Sequence, residues 1–466
     1  MLREKIYSKD RNEPRKGGRL WREQRRILIS LLAFIALFPL ALSAQDVQGS
    51  SSSCQGCVYG GGIQTPLLFE GESALVNQAN LSVGASGFYD DNVLAAAKPR
   101  VADEAMSFDA HLGITKRSKR LVVNFGYSPF FTLYRTVSQY DRINHTGSLD
   151  MTYQWTSRIV LGVHETFSYQ NGIYPSLTGQ EITAGPAAPI PVDNIVVPYT
   201  TRTLYNMPGL DLTFAKSRRT SLSLSGVYSE LKFGYKIAGQ PLYNSNGING
   251  GMSFQHTLTA HFDAGMSLLY QNTSYQGGQV FGNRLRTEVE SAYLTLAYRV
   301  SSSISVRVFG GPQYLRTLGL ASTKGRIGGT LVASEGANIS KRVRSTAVDL
   351  AYQRAVNSSG GVYTSVISTT ATLGVRRRLV GRWEAGANAG VAREDASIFQ
   401  LGNGKTDGLL AGASITRPVA RGSMFHISYF NVHEMSRGTL PISDNFNRNQ
   451  VSVGFDYQFK AFPIGR

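Results

Sequence analysis

Apolar and polar residues alternate one by one, in segment after segment, from about residue 80 to residue 459. Ile304, Val306 and Val308 interleave with Ser303, Ser305 and Arg307, and Leu149, Met151, Tyr153 and Trp155 interleave with Ser148, Asp150, Thr152 and Gln154. The same period runs through Leu210, Leu212 and Phe214, through Val348, Leu350 and Tyr352, and through Val451, Val453, Phe455, Tyr457 and Phe459. A two-residue period sends the two sets of side chains to opposite faces of a strand. After residue 44 no run nears the roughly 18 apolar residues of a spanning helix, and no helical period is sustained, so the chain reads as all-β.

The segments are joined by two kinds of connection. Short, basic, Ser-rich ones lie at 116–119, 156–158, 216–220, 258–261, 300–303, 340–344, 377–382 and 417–422. Long ones include 90–104, 172–201, 276–283, 318–325, 399–405 and 437–445. One short-turn rim facing one long-loop rim is the pattern of a transmembrane barrel. Two strands beside each short turn, with a first strand near 80–89 and a last near 447–459, give about eighteen strands, sixteen being the alternative. Residues 326–339 are Gly-rich and leave a long loop open there.

The fold expected is therefore a transmembrane antiparallel up-and-down β-barrel. Lipid offers the backbone no hydrogen-bond partner, so a sheet in a membrane must close and leave no edge. A soluble sandwich would alternate in the same way. Against it stand segments often a dozen residues long, against about 5 to 6 in soluble sheets, and aromatic residues at segment ends. Trp155, Phe214, Tyr298 and Phe459 sit beside short turns, and Phe130, Phe131, Tyr134, Tyr169, Tyr270 and Tyr314 sit toward the long loops, where two girdles are expected.

Residues 1–44 read as a secretory signal: a basic stretch with Arg22, Arg25 and Arg26, an apolar run over 27–42 broken by Ser30 and Pro39, and Leu42-Ser43-Ala44 before Gln45. The alternative is a retained anchor, for which the run is short. The basic region is long enough to place the translation start downstream of Met1. Of the net charge of +17, residues 1–44 carry +6, and the rest is scattered without a basic stripe, so no nucleic-acid partner is expected. Residues 45–78 read as a flexible periplasmic segment, 79–459 as the barrel and 460–466 as a tail. The two cysteines, Cys54 and Cys57, read either as a small local disulfide of an exported protein or as residues of a disordered leader.

If the apolar parity faces lipid, the other lines the interior. The lumen-lining candidates are Asp109, His111, Asp150, His164, Asp211, Arg307, Asp349 and Asp456, joined by Gln154, Gln353, His426 and Gln458. Charges of both signs suit a water-filled or loop-plugged interior. No enzyme is expected: the histidines at 111, 145, 164, 256, 261, 426 and 433 form no H-E-x-x-H motif, and neither a G-x-S-x-G elbow nor a phosphate loop occurs. A barrel-wall lipid hydrolase would need a His, a Ser and an amide or carboxylate converging on one face. Asp90, Asp91 and Asn92 read as a solvated loop start, with calcium ligation as the alternative. No metal or cofactor is expected.

The last strand carries Ser452-x-Gly454-x-x-Tyr457-x-Phe459, which resembles the terminal-strand signal read by the barrel assembly machinery, although seven residues follow Phe459. Tyr457 and Phe459 share the lipid parity with Val453 and Phe455 and would present an aromatic edge, with Gly454 allowing close approach. The connection at 172–201 is unusually long and holds Pro175, Pro186, Pro189, Pro191 and Pro198, so it is expected to constrict or cap the lumen.

At Gly87-Phe88-Tyr89-Asp90-Asp91-Asn92-Val93, at Tyr127-Ser128-Pro129 with Tyr134, at Asp141 with His145, and at 153–158, the chain resembles the β-barrel porins encoded beside bacterial exopolysaccharide and capsule genes. The resemblance runs from about 80 to 459. It implies an outer-membrane barrel of a Gram-negative-type cell that passes or helps export polysaccharide, and it carries over no catalytic or binding residue. The reading at this stage is a porin-like or export-associated barrel, with outer-membrane lipid, the assembly machinery and polysaccharide or small polar solutes as partners. The rival is a structural or adhesive barrel without a pore.

Overall fold

A computed structural model describes residues 77–172, 201–234, 244–276, 285–318, 326–359, 363–395, 404–438 and 445–465. The chain divides into a first unit, Met1–Val47, outside those residues, and a second, Gln48–Arg466, which holds every strand. Residues 1–44, read above as a signal, Cys54 and Cys57, and most of the proline-rich connection lie outside the described residues.

Eighteen long strands follow one another. They are β1 (Gln78–Asp90), β2 (Asp103–Arg117), β3 (Leu121–Tyr134), β4 (Arg142–Gln154), β5 (Ile159–Gly172), β6 (Thr201–Ser217), β7 (Thr220–Phe233), β8 (Asn244–Thr259) and β9 (Phe262–Gln276), followed by β10 (Leu285–Ser301), β11 (Ile304–Leu318), β12 (Arg326–Val343), β13 (Thr346–Ser359), β14 (Tyr363–Arg378), β15 (Glu384–Asp395), β16 (Gly404–Ala420), β17 (Ser423–Gly438) and β18 (Phe446–Gln458). Each pairs antiparallel with the next. β18 returns to pair with β1, from Ser82↔Gln458 to Asp90↔Gln450, and this seam closes the barrel. The Gly-rich segment left open as a loop is β12, paired with β11 from Ile304↔Lys341 to Leu318↔Arg326. After Phe459, residues Phe462–Pro463 add two further pairs to the start of β1.

The register fixes the faces. Val83, Ala85, Gly87 and Tyr89 of β1 stand opposite Ala110, Phe108, Met106 and Glu104 of β2 on one face, while Ser82, Gly84, Ser86 and Asp90 stand opposite His111, Asp109, Ser107 and Asp103 on the other. The first face is apolar and exposed all round the sheet: Leu210 is 58% accessible, Leu294 57%, Phe455 55% and Met266 51%. Side chains of that size left bare on a soluble protein would drive association. In lipid they face their own kind.

Charged residues bound this outer belt. On β16 the outward Asp407 and Arg417 enclose Leu409, Ala411, Ala413 and Ile415, and on β2 the outward Glu104 and Lys116 enclose Met106, Phe108, Ala110, Leu112 and Ile114. Some 9 to 11 tilted residues cross the hydrocarbon, which matches these spacings. Beyond the belt, toward the long loops, outward side chains pair with one another: Arg135 with Glu104 at 2.8 Å, Lys232 with Glu230 at 2.7 Å, and Arg393 with Asp407 at 2.6 Å. At the short turns, the Arg417 guanidinium lies 5.1 Å from the Trp383 ring.

Two members of the anticipated loop-side girdle turn the other way. Phe130 and Tyr134 share the parity of Thr132, pair with Asn144 and Ala105, and are 5% and 2% accessible, so they pack inside the barrel mouth. The sequence places them at a strand end but not on a face, because Phe130-Phe131 puts one ring on each side.

Candidate functional site: the barrel interior

The interior face is lined with hydroxyls, amides, carboxylates and imidazoles. Hydroxyl pairs cross neighbouring strands at Ser86–Ser107 (2.6 Å), Ser428–Ser452 (2.5 Å) and Thr213–Ser223 (3.0 Å). The structure places Asp109, His111, Asp150, His164, Asp211, Arg307, Asp349 and Asp456 on this face. Their partners come from adjacent strands. His426 Nδ1 lies 3.0 Å from Asp456 Oδ2, and His164 Nδ1 lies 3.0 Å from Asp211 Oδ2. His111 Nδ1 lies 2.8 Å from Ser128 Oγ, and Ser340 Oγ donates to Asp349 Oδ1 at 2.6 Å.

Glycine makes room for these polar groups. Gly84 sits between Asp109 and Asp456 in the register, and a Cβ built on it would lie 2.7 Å from Asp456 Oδ1 and nearer still to Asp109 Oδ1. The two carboxylates thus lean over a position that tolerates no side chain. Gly454 does the same for His426, whose Nε2 would lie 2.6 Å from an added Cβ.

Charge is distributed unevenly around the ring. Asp456 on β18, Asp109 on β2, Asp150 on β4 and Asp211 on β6 form one arc, which also carries His426, His111 and His164. Arg299 on β10, Arg307 on β11, Arg342 on β12 and Arg376 on β14 form another. In a closed ring of eighteen strands β2 and β11 are nine apart, so the arcs lie on opposite walls. Outside the acidic arc, Asp349 is held by Ser340, Asp263 by Thr257 and Glu384 by Arg376 at 3.6 Å, and Glu394 is buried on β15; within it, Arg142 is held by Tyr134 and Arg448 by Asp90 at the mouth. Arg117 stands at the turn end of β2.

Among the described residues, two elements narrow the long-loop end from opposite walls. The first is the connection after β1, where Asn92 is fully buried and Val93 is 2% accessible, packed with Phe88, Ala105 and Tyr134. Asn92 Nδ2 donates to the carbonyls of Ala96 (2.8 Å) and Asn447 (3.1 Å). Asp90, also fully buried, accepts from Arg448, and Asp91 accepts from the backbone N (2.6 Å) and Nδ2 (2.6 Å) of Asn449. This loop start is therefore neither solvated nor free to ligate calcium, because its carboxylates serve as acceptors across the seam. Nearby Asp103 accepts from the amides of Thr136 and Val137, and Asp141 from that of Tyr134. Burial and the neighbouring Asp103 push the Asp141 carboxyl above the usual range.

The second element is the end of the β13–β14 hairpin, which folds inside the barrel. Val356 and Ile367 pack with Val289 of β10, Leu315 of β11 and Val332 of β12. The Val356 amide donates to Gln313 Oε1 at 2.9 Å, and Ser365 Oγ lies 3.5 Å from Thr287 Oγ1. Gln313 and Thr287 are interior residues of β11 and β10, so the hairpin reaches across β12 rather than lying beside it. The sequence carried no sign of this. Val356 and Ile367 alternate like wall residues, and only the missing β12 partners show that they have left the wall.

Among the described residues, each histidine with a side-chain hydrogen-bond partner has a hydroxyl or a carboxylate, not both. No group of three or more His, Cys, Asp and Glu suited to a metal ion occurs among them.

An exposed apolar belt around a polar, narrowed interior defines a barrel built to sit in lipid. No family model matches the chain, and no curated protein matches it. Among solved structures it is similar to the ferric citrate transporter FecA in its unliganded form, with 13% identity and a TM-score of 0.45 over 82% of this chain and 64% of that one. It is also similar to OccAB4 of Acinetobacter baumannii (9% identity, TM-score 0.42, 82% of this chain, 99% of that one). OccK2 (OpdF) of Pseudomonas aeruginosa, solved with glucuronate, matches at 10% identity and a TM-score of 0.43, over 82% of this chain and 98% of that one.

Proposed function

We propose that this chain is an outer-membrane, porin-type barrel that passes small polar solutes by diffusion. The observation that carries this reading is the closed eighteen-strand wall whose inner face is polar and which, among the described residues, is narrowed at the long-loop end. Barrels of 16 to 18 strands enclose an aqueous channel, whereas 8-stranded ones fill with side chains. The eight candidate residues are wall lining that sets the field in the channel, not a catalytic constellation. Ser452, Gly454, Tyr457 and Phe459 serve insertion, with the aromatic edge read by the assembly machinery and outer-membrane lipid as the solvent of the belt.

An extended polymer such as polysaccharide would have to displace the hairpin, so small solutes fit the described interior better. A structural barrel without a pore is the second reading, favoured by the two packed elements at the mouth. Swelling of liposomes containing the refolded protein separates the two. Entry of mono- and disaccharides with rates falling steeply with size supports the pore, and no swelling with any solute refutes it.

A further inference from the structure

The pairing of β12 with β13 stops short. It runs from Val343↔Thr346 to Glu335↔Arg354 and no further, although β12 continues to Arg326 and β13 to Ser359. Over the same stretch β12 keeps its pairs with β11 as far as Arg326. Residues 330–334 of β12 therefore have a strand on one side and, among the described pairings, none on the other. The cause is the inward fold of the β13–β14 hairpin, whose Val356 and Ser365 hold Gln313 and Thr287 inside the barrel. Leu331, on the outer face of the uncovered stretch, is 71% accessible, more than any other large apolar strand residue described.

The position of this gap decides what it can be. In hydrocarbon an unpaired strand edge is prohibitively costly, because its amides and carbonyls find no partner. On these two strands the belt consists of Ala337 and Ile339 on β12 and Val348, Leu350 and Tyr352 on β13. Glu335 with Arg354 is a charged outward pair and the last pair before the strands part, with Tyr352 Oη donating to Glu335 Oε1 at 3.1 Å; beyond it β12 carries the outward Ala333 and Leu331, opposite Pro312 and Tyr314 of β11. The wall thus parts at a charged pair on the loop side of the belt, at the level of the Tyr314 girdle, where water can satisfy the free edge. At the apex of the gap Ser334 Oγ donates to the Arg354 carbonyl at 2.9 Å, a polar corner.

We infer that the gap between β12 and β13 is a side portal above the bilayer, and that it is the outer route of small polar solutes past the hairpin that narrows the axial mouth. This inference rests on the pore reading. The test uses the full mature barrel with Cys54→Ser and Cys57→Ser as background, into which Leu331→Cys, Ala333→Cys or Tyr89→Cys is introduced. Tyr89 lies on the outer face of β1, away from the portal, and is 50% accessible. Each is reacted with a bulky maleimide-polyethylene glycol in planar bilayers. Portal labelling at Leu331→Cys and Ala333→Cys should cut single-channel conductance by half or more and leave Tyr89→Cys unchanged. Equal conductance before and after labelling at both portal positions overturns the portal while leaving the pore intact. No channel in any unlabelled protein overturns the pore reading and the portal with it.

Discussion

Arg448 of β18 reaches diagonally across the closing seam to Asp90 of β1, its Nε donating to Oδ2 at 2.9 Å and to Oδ1 at 3.1 Å, with its Nη2 also on Oδ2. Asp90 is fully buried and Arg448 6% accessible, so each charge depends on the other for solvation. Removing one partner of such a pair costs about 3–5 kcal/mol, because the other is left buried and uncompensated. Arg448→Met should lower the unfolding midpoint sharply in a urea series followed by gel mobility. The double variant Arg448→Met with Asp90→Leu should recover part of the loss. Equal stability of the single variant and its parent would mean that the pair does not hold the seam.

Leu210 faces outward on β6 and Ser225 faces inward on β7 opposite Asp211. An arginine at mid-bilayer on the lipid face costs about 2–4 kcal/mol, and one in the lumen costs little. Leu210→Arg should destabilise by that order and Ser225→Arg by much less, measured by unfolding in liposomes. Equal losses, or a larger loss for Ser225→Arg, would contradict this assignment of the faces.

The two wall arcs predict a selectivity that can be moved in either direction. Asp109→Asn with Asp150→Asn and Asp211→Asn should shift the reversal potential in a salt gradient toward anions. Arg299→Gln with Arg307→Gln and Arg342→Gln should shift it toward cations. Identical reversal potentials in all three proteins would mean that ions do not pass between these walls.

Folding and assembly can be separated in the last strand. Gly454→Ala puts a methyl against His426 and Ser86 and should cost about 1–3 kcal/mol of stability as overpacking. Tyr457→Ala with Phe459→Ala removes an edge-to-face ring pair, centroids 4.8 Å apart, and should lower outer-membrane levels more than it lowers the stability of refolded protein. Parallel losses of level and stability in the double variant would reduce that edge to packing alone.

Because burial and Asp103 raise the Asp141 carboxyl above its unfolded value, its charged form is disfavoured in the fold. The stability it contributes is present at acidic pH and is lost as pH rises through the raised value. Asp141→Asn, which keeps an acceptor for the Tyr134 amide, should flatten the decline in melting temperature as pH rises above the ordinary carboxylate range. Superimposable slopes would assign that decline to other groups.

Strands and turns were legible because wall physics is written locally. A period of two, broken by short basic turns, gives eighteen strands whether or not the partner strand is known, and β1 and β18 fall within a residue or two of 80–89 and 447–459. Interior elements were not legible. The inward fold of Val356 and Ile367 depends on contacts with Val289 and Leu315, from 41 to 78 residues away in the chain, and leaves the local alternation untouched. Phe130 and Tyr134 show the same limit on a smaller scale. The burial of Asp90 and Asn92 depends on Arg448 and Asn447 at the far end of the sequence, which no local pattern announces.

The most direct test of a hydrated barrel narrowed by its own hairpin is single-channel conductance of the refolded protein beside Val356→Asp with Ile367→Asp. These charges unseat the hairpin from Val289, Leu315 and Val332 without touching the belt. The parent should form small, uniform channels and the variant distinctly larger ones with unchanged heat-modifiable mobility. Equal conductance in the two, or no channel in either, would contradict it.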